Sequence, residues 1–311
     1  MTIIEQAAKR LAELSRAAGE EATAQWGAGQ PAVTPLVNDP QAEARLLAWE
    51  TGRVPGSVER GGAAPSAPVK PDVELDLVRL EAEGYIARAD MRTPLTEEYR
   101  AIKRPLLKNA RSNQAASQRL PLIMVTSALP GEGKTYTAIN LAMSIVREID
   151  LSVLLVDADV VRRGAMARLG VTAETGLLDL LTDRTLRTAD VVRTTNIPKL
   201  SLLPAGHRHP LATELLASTA MDELLRSLVS DFPHQVVIFD GPPLLPTTEA
   251  KVLAPRVGQV VLVVEAERTP RHAVEQSVAL LEQCPIVMTL LNKTVLSDAA
   301  NGYGYGYGYS Y

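Results

Sequence analysis

The sequence predicts an α/β fold in which a mostly parallel sheet is flanked by helices. Three observations predict it. Short apolar runs recur along the chain and end in polar side chains, as at 152–159 and 235–240. A glycine-containing loop joins one such run, 122–125, to a helix-like segment. The 311 residues are 46% hydrophobic but only 4% aromatic, and an aliphatic core suits a parallel sheet buried on both faces.

The loop at 127–135 has the composition of a phosphate-binding loop. Glycines such as Gly131 let backbone N–H groups turn toward phosphate oxygens, and the following helix adds its positive N-terminal end. Lys134 is placed to neutralise the β- and γ-phosphates, and the Thr135 hydroxyl to bind Mg²⁺. We therefore expect ATP and Mg²⁺ as cofactors. The residues predicted to bind the nucleotide here are Pro130, Gly131, Glu132, Gly133, Lys134, Thr135 and Tyr136.

Carboxylates follow two further apolar runs. Asp157 and Asp159 come after 152–156, and Asp240 ends 235–239 in the Walker B arrangement, where it would hold Mg²⁺ directly or through water. Because the carboxyl ends of parallel strands line the ligand crevice, all three should face the phosphates. A strand-end aspartate can instead cap the next helix, which is the weaker alternative here. Asp157 and Asp159 are expected to differ in role, one nearer the metal and one nearer the incoming nucleophile.

The remaining elements alternate strands with helices. Asn292 ends the last predicted strand, where it can hydrogen-bond an adenine edge or start a turn, and both alternatives stay open. The segment 160–199 is predicted to be helices and loops. The other predicted strands are 200–204, 259–265 and 286–291, and the predicted helices are 134–148, 212–217, 219–230 and 271–283.

Composition divides the chain into five segments. The Pro-, Gly- and Ala-rich one cannot bury enough apolar surface to offset its ordering entropy, so it is predicted to be a linker. The predicted segments are an N-terminal helix (1–26), the linker (27–71), a helical segment with an oligomerisation motif (72–118), the nucleotide-binding domain (119–297) and a tyrosine-rich tail (298–311).

A helix is predicted to begin near Thr96, taken as its N-cap, and Pro105 is predicted to kink or interrupt it. A shorter helix is predicted at 73–80. Glu97, Arg100 and Lys103 recur at three-residue spacing and therefore share one helix face. Composition favours the interpretation that these three residues form a solvent-exposed stripe of salt bridges. The alternative is that they form a surface for self-association.

The tail alternates glycine with tyrosine. Glycine at every second position disfavours a helix and provides no side chain that could be buried in a core. The phenols are thus accessible acceptors for phosphoryl transfer, and the alternative is a sticky disordered tail. The predicted autophosphorylation sites are Tyr303, Tyr305, Tyr307, Tyr309 and Tyr311.

Global properties exclude several classes of function. A net charge of −4 gives no basis for nucleic-acid binding. The single cysteine, Cys284, excludes an intrachain disulfide framework and is expected to be a buried thiol. The His207–His209 pair lacks partner ligands nearby, so a loop beside the phosphates is favoured over a metal site. No apolar run is long enough for a membrane span, and the chain is expected to be cytoplasmic.

Together these motifs resemble the bacterial tyrosine kinases that control extracellular polysaccharide export. The resemblance is greatest to the exosortase-associated (PEP-CTERM) tyrosine autokinases, and it covers roughly residues 93–311. It implies a P-loop fold of the deviant Walker, SIMIBI-like type, with a partly disordered N-terminal extension and a disordered tail. The matching segments are the phosphate loop 130–135, the Walker A′ segment 156–159, the Walker B segment 238–243 and the tyrosine cluster 303–311.

The resemblance also implies roles and partners. Lys134 and Thr135 would bind phosphate and Mg²⁺, Asp157 and Asp159 would share metal binding and activation of the tyrosine hydroxyl, and Asp240 would complete the metal site. Such kinases phosphorylate a neighbour's tail in a homo-oligomer. They use a transmembrane activator of the polysaccharide co-polymerase (chain-length determinant) type, here expected to be a separate protein that recruits the kinase to the inner membrane face. A cognate tyrosine phosphatase is the further expected partner.

The chain departs from the family pattern at several positions. The full phosphate loop has glycine where this chain has Ala128. The family's oligomer motif, Glu-x-x-Arg-x-x-Arg-x-Asn, is met here by Lys103 at its third position and by Pro105 at its fourth. Val161 occupies the place of the Walker A′ basic residue, and Arg162 follows it. Self-association is therefore expected, with its stoichiometry open.

Two other functions compete with the kinase. A partition or cell-division switch ATPase would carry a signature lysine five residues before the loop lysine, where this chain has Leu129. A scaffold with a vestigial nucleotide site would bind nucleotide without transferring phosphate. Labelling with ATP distinguishes all three.

Overall fold

A computed structural model describes residues 71–87, 93–111, 119–231 and 234–294. The N-terminal helix predicted at 1–26, nearly all of the linker and the tyrosine tail therefore lie outside the described residues. Within the described ranges, no helix has both the length and the apolar content needed to cross a membrane.

Seven strands form one sheet in the order β3-β4-β2-β5-β1-β6-β7. All neighbours are parallel except β3, which runs antiparallel to β4 at the edge. The predicted mostly parallel sheet is thus confirmed. The strands are β1 (Leu122–Ser127), β2 (Ser152–Asp157), β3 (Arg193–Thr194), β4 (Leu200–Leu203), β5 (Gln235–Asp240), β6 (Gln259–Glu265) and β7 (Ile286–Asn292).

The apolar core has two layers, one on each face of the sheet. Ile123 and Val125 of β1 join one cluster of buried residues, whereas Leu122 and Met124 join the other. Successive side chains of a strand point to opposite faces, so an uninterrupted apolar run is what a strand covered on both sides requires. The chain is rich in aliphatic residues because the strands of this sheet are covered on both faces.

Helices cover both faces of the sheet. They are α1 (Leu77–Ala82), α2 (Pro94–Ala110), α3 (Lys134–Ile145), α4 (Gly164–Leu169), α5 (Leu177–Thr182), α6 (Thr188–Val191), α7 (Ala212–Leu216), α8 (Thr219–Ser230), α9 (Thr248–Leu253) and α10 (Arg271–Leu280), with a 3₁₀ turn at Ala254–Arg256. Helix α9 and strand β3 have no counterpart among the predicted elements. Helix α1 begins later than predicted, because Asp76 caps it by accepting a hydrogen bond from the Arg79 N–H at 3.0 Å.

The predicted N-cap of α2 and the predicted interruption at Pro105 are both wrong, whereas a kink there stays a prediction. Thr93, not Thr96, is the N-cap, and the two threonines form a capping box in which each hydroxyl accepts from the other's N–H, at 3.2 and 2.9 Å. Pro105 lies inside the helix without interrupting it. Leu106 and Leu107 directly after it are buried in the core, and we attribute the helix's continuity to this packing, which outweighs the lost backbone hydrogen bond.

Lys103 is buried rather than part of a solvated stripe. It is 7% exposed, its Nζ lies 2.7 Å from Glu148 Oε1, and it donates to the Ser144 carbonyl at 2.7 Å. The hydrogen bond from Lys103 to the Glu148 carboxylate holds the pKa of Glu148 below its ordinary value. Glu97 and Arg100 pair at 2.5 Å on the surface, as the stripe predicts. The use of these residues in self-association stays a prediction.

We expect Lys103→Met to lower the free energy of unfolding by about 1–3 kcal/mol, because it leaves a buried carbonyl and a partly buried carboxylate without their cation. Breaking the exposed pair with Arg100→Gln is the matched control on the same helix, with an expected change below about 0.5 kcal/mol. Urea unfolding measures both variants. Equal changes in the two would contradict the structural role of Lys103.

Candidate functional site

The loop between β1 and α3 has the backbone of an anion cradle. Gly131 and Gly133 have φ of 90° and 98°, a left-handed conformation that favours glycine. A Cβ on Gly133 would lie 2.1 Å from the Asn292 Nδ2, so a larger residue would have to displace the Asn292 side chain. Glu132 holds the loop's shape, since its carboxylate accepts from the Leu129 N–H at 2.8 Å and from the Thr269 hydroxyl.

The three predicted carboxylates converge beside this loop. The Lys134 Nζ lies 3.1 Å from Asp159 Oδ2. Asp157 and Asp240 are register partners on the adjacent strands β2 and β5, and the Ala158 N–H donates to the Asp240 carbonyl at 3.0 Å. All four of these side chains are buried. The arrangement follows from the parallel sheet, because neighbouring strands end at the same edge.

Burial changes the acidity of two of these groups. It raises the pKa of Asp240 to about 7, with the Asp157 charge adding to the shift and the Lys134 ammonium acting against it. Burial likewise raises the pKa of Asp157 to about 6, although a hydrogen bond from the Met166 N–H opposes the change. Two carboxylates are therefore held where a negative charge is costly in the absence of a cation.

The site has the donor set that a hard divalent cation prefers. Asp157 Oδ1 and both carboxylate oxygens of Asp240 are buried without a hydrogen-bond partner among the described residues, and Asp159 Oδ2 has only the Lys134 ammonium beside it. No group of three His, Cys, Asp or Glu in these ranges forms a complete metal site by itself. Mg²⁺ commonly takes few protein ligands and fills its shell with water and phosphate oxygens, so the residues fit it. Thr135 borders the same space, because its side chain is close enough to Asp240 to oppose the rise in the pKa of that carboxyl.

Other predicted nucleotide contacts are used differently. The Asn292 Nδ2 donates to the Glu132 carbonyl at 2.9 Å, so this side chain supports the loop, and its contact to adenine stays a prediction. The Tyr136 hydroxyl donates to the Gly84 carbonyl at 2.8 Å, and its ring lies 5.2 Å from that of Tyr85. The Tyr136 side chain thus packs on residues 84–85, and the contact of Tyr136 with the nucleotide stays a prediction. Pro130 is exposed at the loop surface.

One residue that the motifs did not single out also holds the loop. Lys293 donates to the Gly131 carbonyl at 2.8 Å and pairs with Glu265 at 3.1 Å. Its position directly after Asn292 at a strand end was the only available signal. The end of β7 therefore contributes two consecutive side chains to the cradle.

The Walker A′ turn is built without the family's basic residue. Val161 is 55% exposed, and the Arg162 N–H donates to Asp159 Oδ1 at 3.1 Å, so backbone rather than an arginine side chain holds that carboxylate.

The two histidines of the His207–His209 pair have different partners. His207 Nδ1 lies 2.9 Å from Asp179 Oδ1, whereas His209 Nδ1 accepts from the Leu211 N–H.

The lone cysteine lies outside this chemistry. Cys284 is buried, and burial raises the pKa of its thiol to about 11. Such a thiol is not ionised at neutral pH and is inert as a nucleophile. The expectation of a buried structural thiol agrees with this geometry.

Comparison with known proteins identifies related chains. An AAA domain family model matches residues 121–295. Tyrosine-protein kinase CpsD of Streptococcus agalactiae is 30% identical over 213 residues, which cover 67% of this chain and 87% of CpsD. The succinoglycan biosynthesis transport protein ExoP of Rhizobium meliloti is 32% identical over 199 residues, which cover 61% of this chain but only 24% of ExoP.

A solved kinase domain has the same architecture. The kinase domain of Escherichia coli tyrosine kinase ETK superposes with a TM-score of 0.57 at 25% sequence identity, and the match covers 72% of this chain and 88% of that domain. The similarity thus extends over most of the part of the chain that the structure describes.

Proposed function

This chain belongs to the bacterial tyrosine kinases with an AAA domain, and from that premise we propose that it transfers the γ-phosphoryl group of Mg²⁺-bound ATP to tyrosines 303–311 of its own sequence. The observation that carries the proposal is the convergence of Lys134 with three buried carboxylates at the phosphate loop. These groups match the parts that phosphoryl transfer requires, namely positioning and charge neutralisation.

Each protein group has a defined task in this proposal. The loop N–H groups and Lys134 bind the phosphates and neutralise charge in the transition state. Mg²⁺, held by Thr135 and Asp240 with one of the Walker A′ carboxylates, would supply further neutralisation of the phosphate oxygens. Asp157 or Asp159 would accept the phenol proton while the phenol oxygen bonds to the γ-phosphorus and the bond to the leaving ADP oxygen breaks.

A carboxylate with a raised pKa is suited to act as the general base that takes the proton from the tyrosine hydroxyl. A tyrosine phenol titrates near 10 in water, so an ordinary aspartate is a weak acceptor for its proton. Burial raises the pKa of Asp157 to about 6, which brings it closer to that of the phenol and suits Asp157 to the role of general base.

We place the kinase in polysaccharide synthesis or export, acting in trans within a homo-oligomer. The relative ExoP is named a succinoglycan biosynthesis transport protein, and this chain spans about a quarter of it. A separate transmembrane activator of the polysaccharide co-polymerase type would hold the kinase at the cytoplasmic membrane face, and a tyrosine phosphatase would reset it. The surface pair of Glu97 and Arg100 is available for self-association.

Mixing two variants tests transfer between copies. A Lys134→Met chain with an intact tail is the acceptor, and a chain with all five tail tyrosines changed to Phe is the donor. With labelled ATP we expect label on the tail peptide of the acceptor only when both are present. ATP hydrolysis without tyrosine labelling would favour the switch ATPase, and label outside residues 301–311 would contradict the tail as substrate.

A further inference from the structure

A groove of about 690 Å³ is lined by one side of α2, by Arg111 after it and by Glu148, which follows α3 in the chain. We call it the basic groove and define it by its four cations, Arg100, Arg104, Lys108 and Arg111. It is lined on its inner side by the Lys103–Glu148 pair. None of the four cations contacts the phosphate loop or the buried carboxylates, so the nucleotide site leaves this surface unexplained.

The basic groove has more positive charge than its own carboxylates neutralise. Glu97 pairs with Arg100, and Glu148 is engaged by Lys103, so that Arg111 reaches it only at 3.9 Å. Arg104 and Lys108 are exposed and form no ion pair or hydrogen bond with any described residue, although the Arg104 charge helps to lower the pKa of Glu148. The excess stands out in a chain whose net charge is −4, and it favours an anionic partner.

We propose that the basic groove binds the chain's own C-terminal segment, residues 301–311, once its tyrosines are phosphorylated. This inference rests on the proposed function, which supplies the phosphotyrosines. Each phosphate adds a charge of about −1.5 to −2 and three strong acceptor oxygens. Arginine binds such groups through its planar fork of N–H donors. Unphosphorylated, the same segment has no charged side chain for the groove to attract.

The spacing of the two partners matches. Arg100, Arg104 and Lys108 follow one another at four-residue steps, so they share a face and are about 6 Å apart along the helix axis. Tyrosines at alternate positions of an extended chain recur every ~6.6 Å on one side. Successive phosphotyrosines can therefore meet successive cations, which an anion with unmatched spacing could not do.

The segment begins within reach of the groove. Thr294, the last described residue, lines a cavity with Ile102 and Pro105 on another side of α2. Tyr303 lies nine residues further along the chain, and nine residues extend up to about 30 Å. A helix with its side chains is only about 10–12 Å wide, so the chain can pass around α2 to its own groove.

Occupation of the groove has a functional consequence. The phosphorylated segment would cover Arg100 and reach Glu97, the two surface residues predicted to take part in self-association. Autophosphorylation would then compete directly with assembly, because the product occupies the surface that holds the copies together.

The test uses a fluorescent peptide of residues 301–311, made with five phosphotyrosines or with none. The binding protein is the full chain with its five tail tyrosines changed to Phe, so that no phosphorylated tail competes. We expect only the phosphorylated peptide to bind, with an affinity that falls as salt is added. Adding Arg104→Gln and Lys108→Gln should weaken binding at least about tenfold, since two charge-assisted contacts are lost.

The matched control is Arg184→Gln with Arg226→Gln, which removes the same charge from two exposed arginines elsewhere. It should change affinity less than about twofold. Equal losses in both double variants, equal binding of the unphosphorylated peptide, or groove-dependent binding of phosphatidylglycerol vesicles in place of the phosphopeptide would each overturn the inference. Because the peptide is supplied already phosphorylated, this result is independent of whether the chain labels its own tail.

Discussion

Lys134→Met is expected to lower the rate of tail phosphorylation about 100- to 1,000-fold, the usual cost of losing one preorganised group that stabilises transition-state charge. The Lys134 Nζ is the cation at the centre of the carboxylate cluster, 3.1 Å from Asp159. Its loss removes the charge that neutralises the transferring phosphate. The measurement is the initial rate of labelled phosphate incorporation at saturating ATP.

Two further variants separate catalysis from folding. Lys134→Arg keeps a positive charge beside Asp159, so it should preserve thermal stability while still impairing transfer, because a guanidinium fork does not reproduce the ammonium geometry. Lys199→Met removes a lysine that precedes β4, at the opposite end of the sheet from the loop, and should leave the rate unchanged. If Lys134→Met kept more than a tenth of wild-type activity, the assigned role of this lysine would be wrong.

Asp240→Asn is expected to abolish transfer and, in the absence of nucleotide and Mg²⁺, to stabilise the protein. Burial raises the folded-state pKa of Asp240 to about 7, above the ~3.9 of an unfolded aspartate. The folded state therefore binds more protons between these values, and wild-type stability falls as pH rises from about 4 to 7. Above pH 7 the full penalty is present. At pH 8, replacing the charged Asp240 by asparagine should raise the free energy of unfolding by on the order of 2–4 kcal/mol.

Calorimetry at pH 5 and pH 8 checks the sign. The advantage of Asp240→Asn should be larger at pH 8, because wild-type Asp240 is protonated in the folded state at pH 5. The exposed Asp150→Asn is the control, with an expected change within about 0.5 kcal/mol at either pH. Adding Mg²⁺ with ADP should raise the melting temperature of the wild type more than that of the variant. A lower melting temperature for Asp240→Asn at pH 8 without ligand would contradict the costly buried charge.

The strands and the phosphate loop were predictable because their signals are local. An apolar run with no polar alternation, such as 235–239, has to be covered on both faces, and this favours a parallel sheet. Gly-Lys-Thr between such a run and a helix places the loop. Topology then brings Asp157 and Asp240 together, since strand ends of a parallel sheet share an edge.

The sequence alone thus determined the fold class, the cradle and the carboxylates, because each depends on a pattern within one element. Tertiary structure alone decided that Lys103 is buried and that Asn292 and Lys293 hold the phosphate loop. It also decided that the Tyr136 side chain packs against Gly84 instead of lying in that loop. Helical spacing shows which residues share a face, but not what packs against that face. Burial and pairing depend on neighbours more than forty residues away in the chain, and only the folded chain brings them into contact.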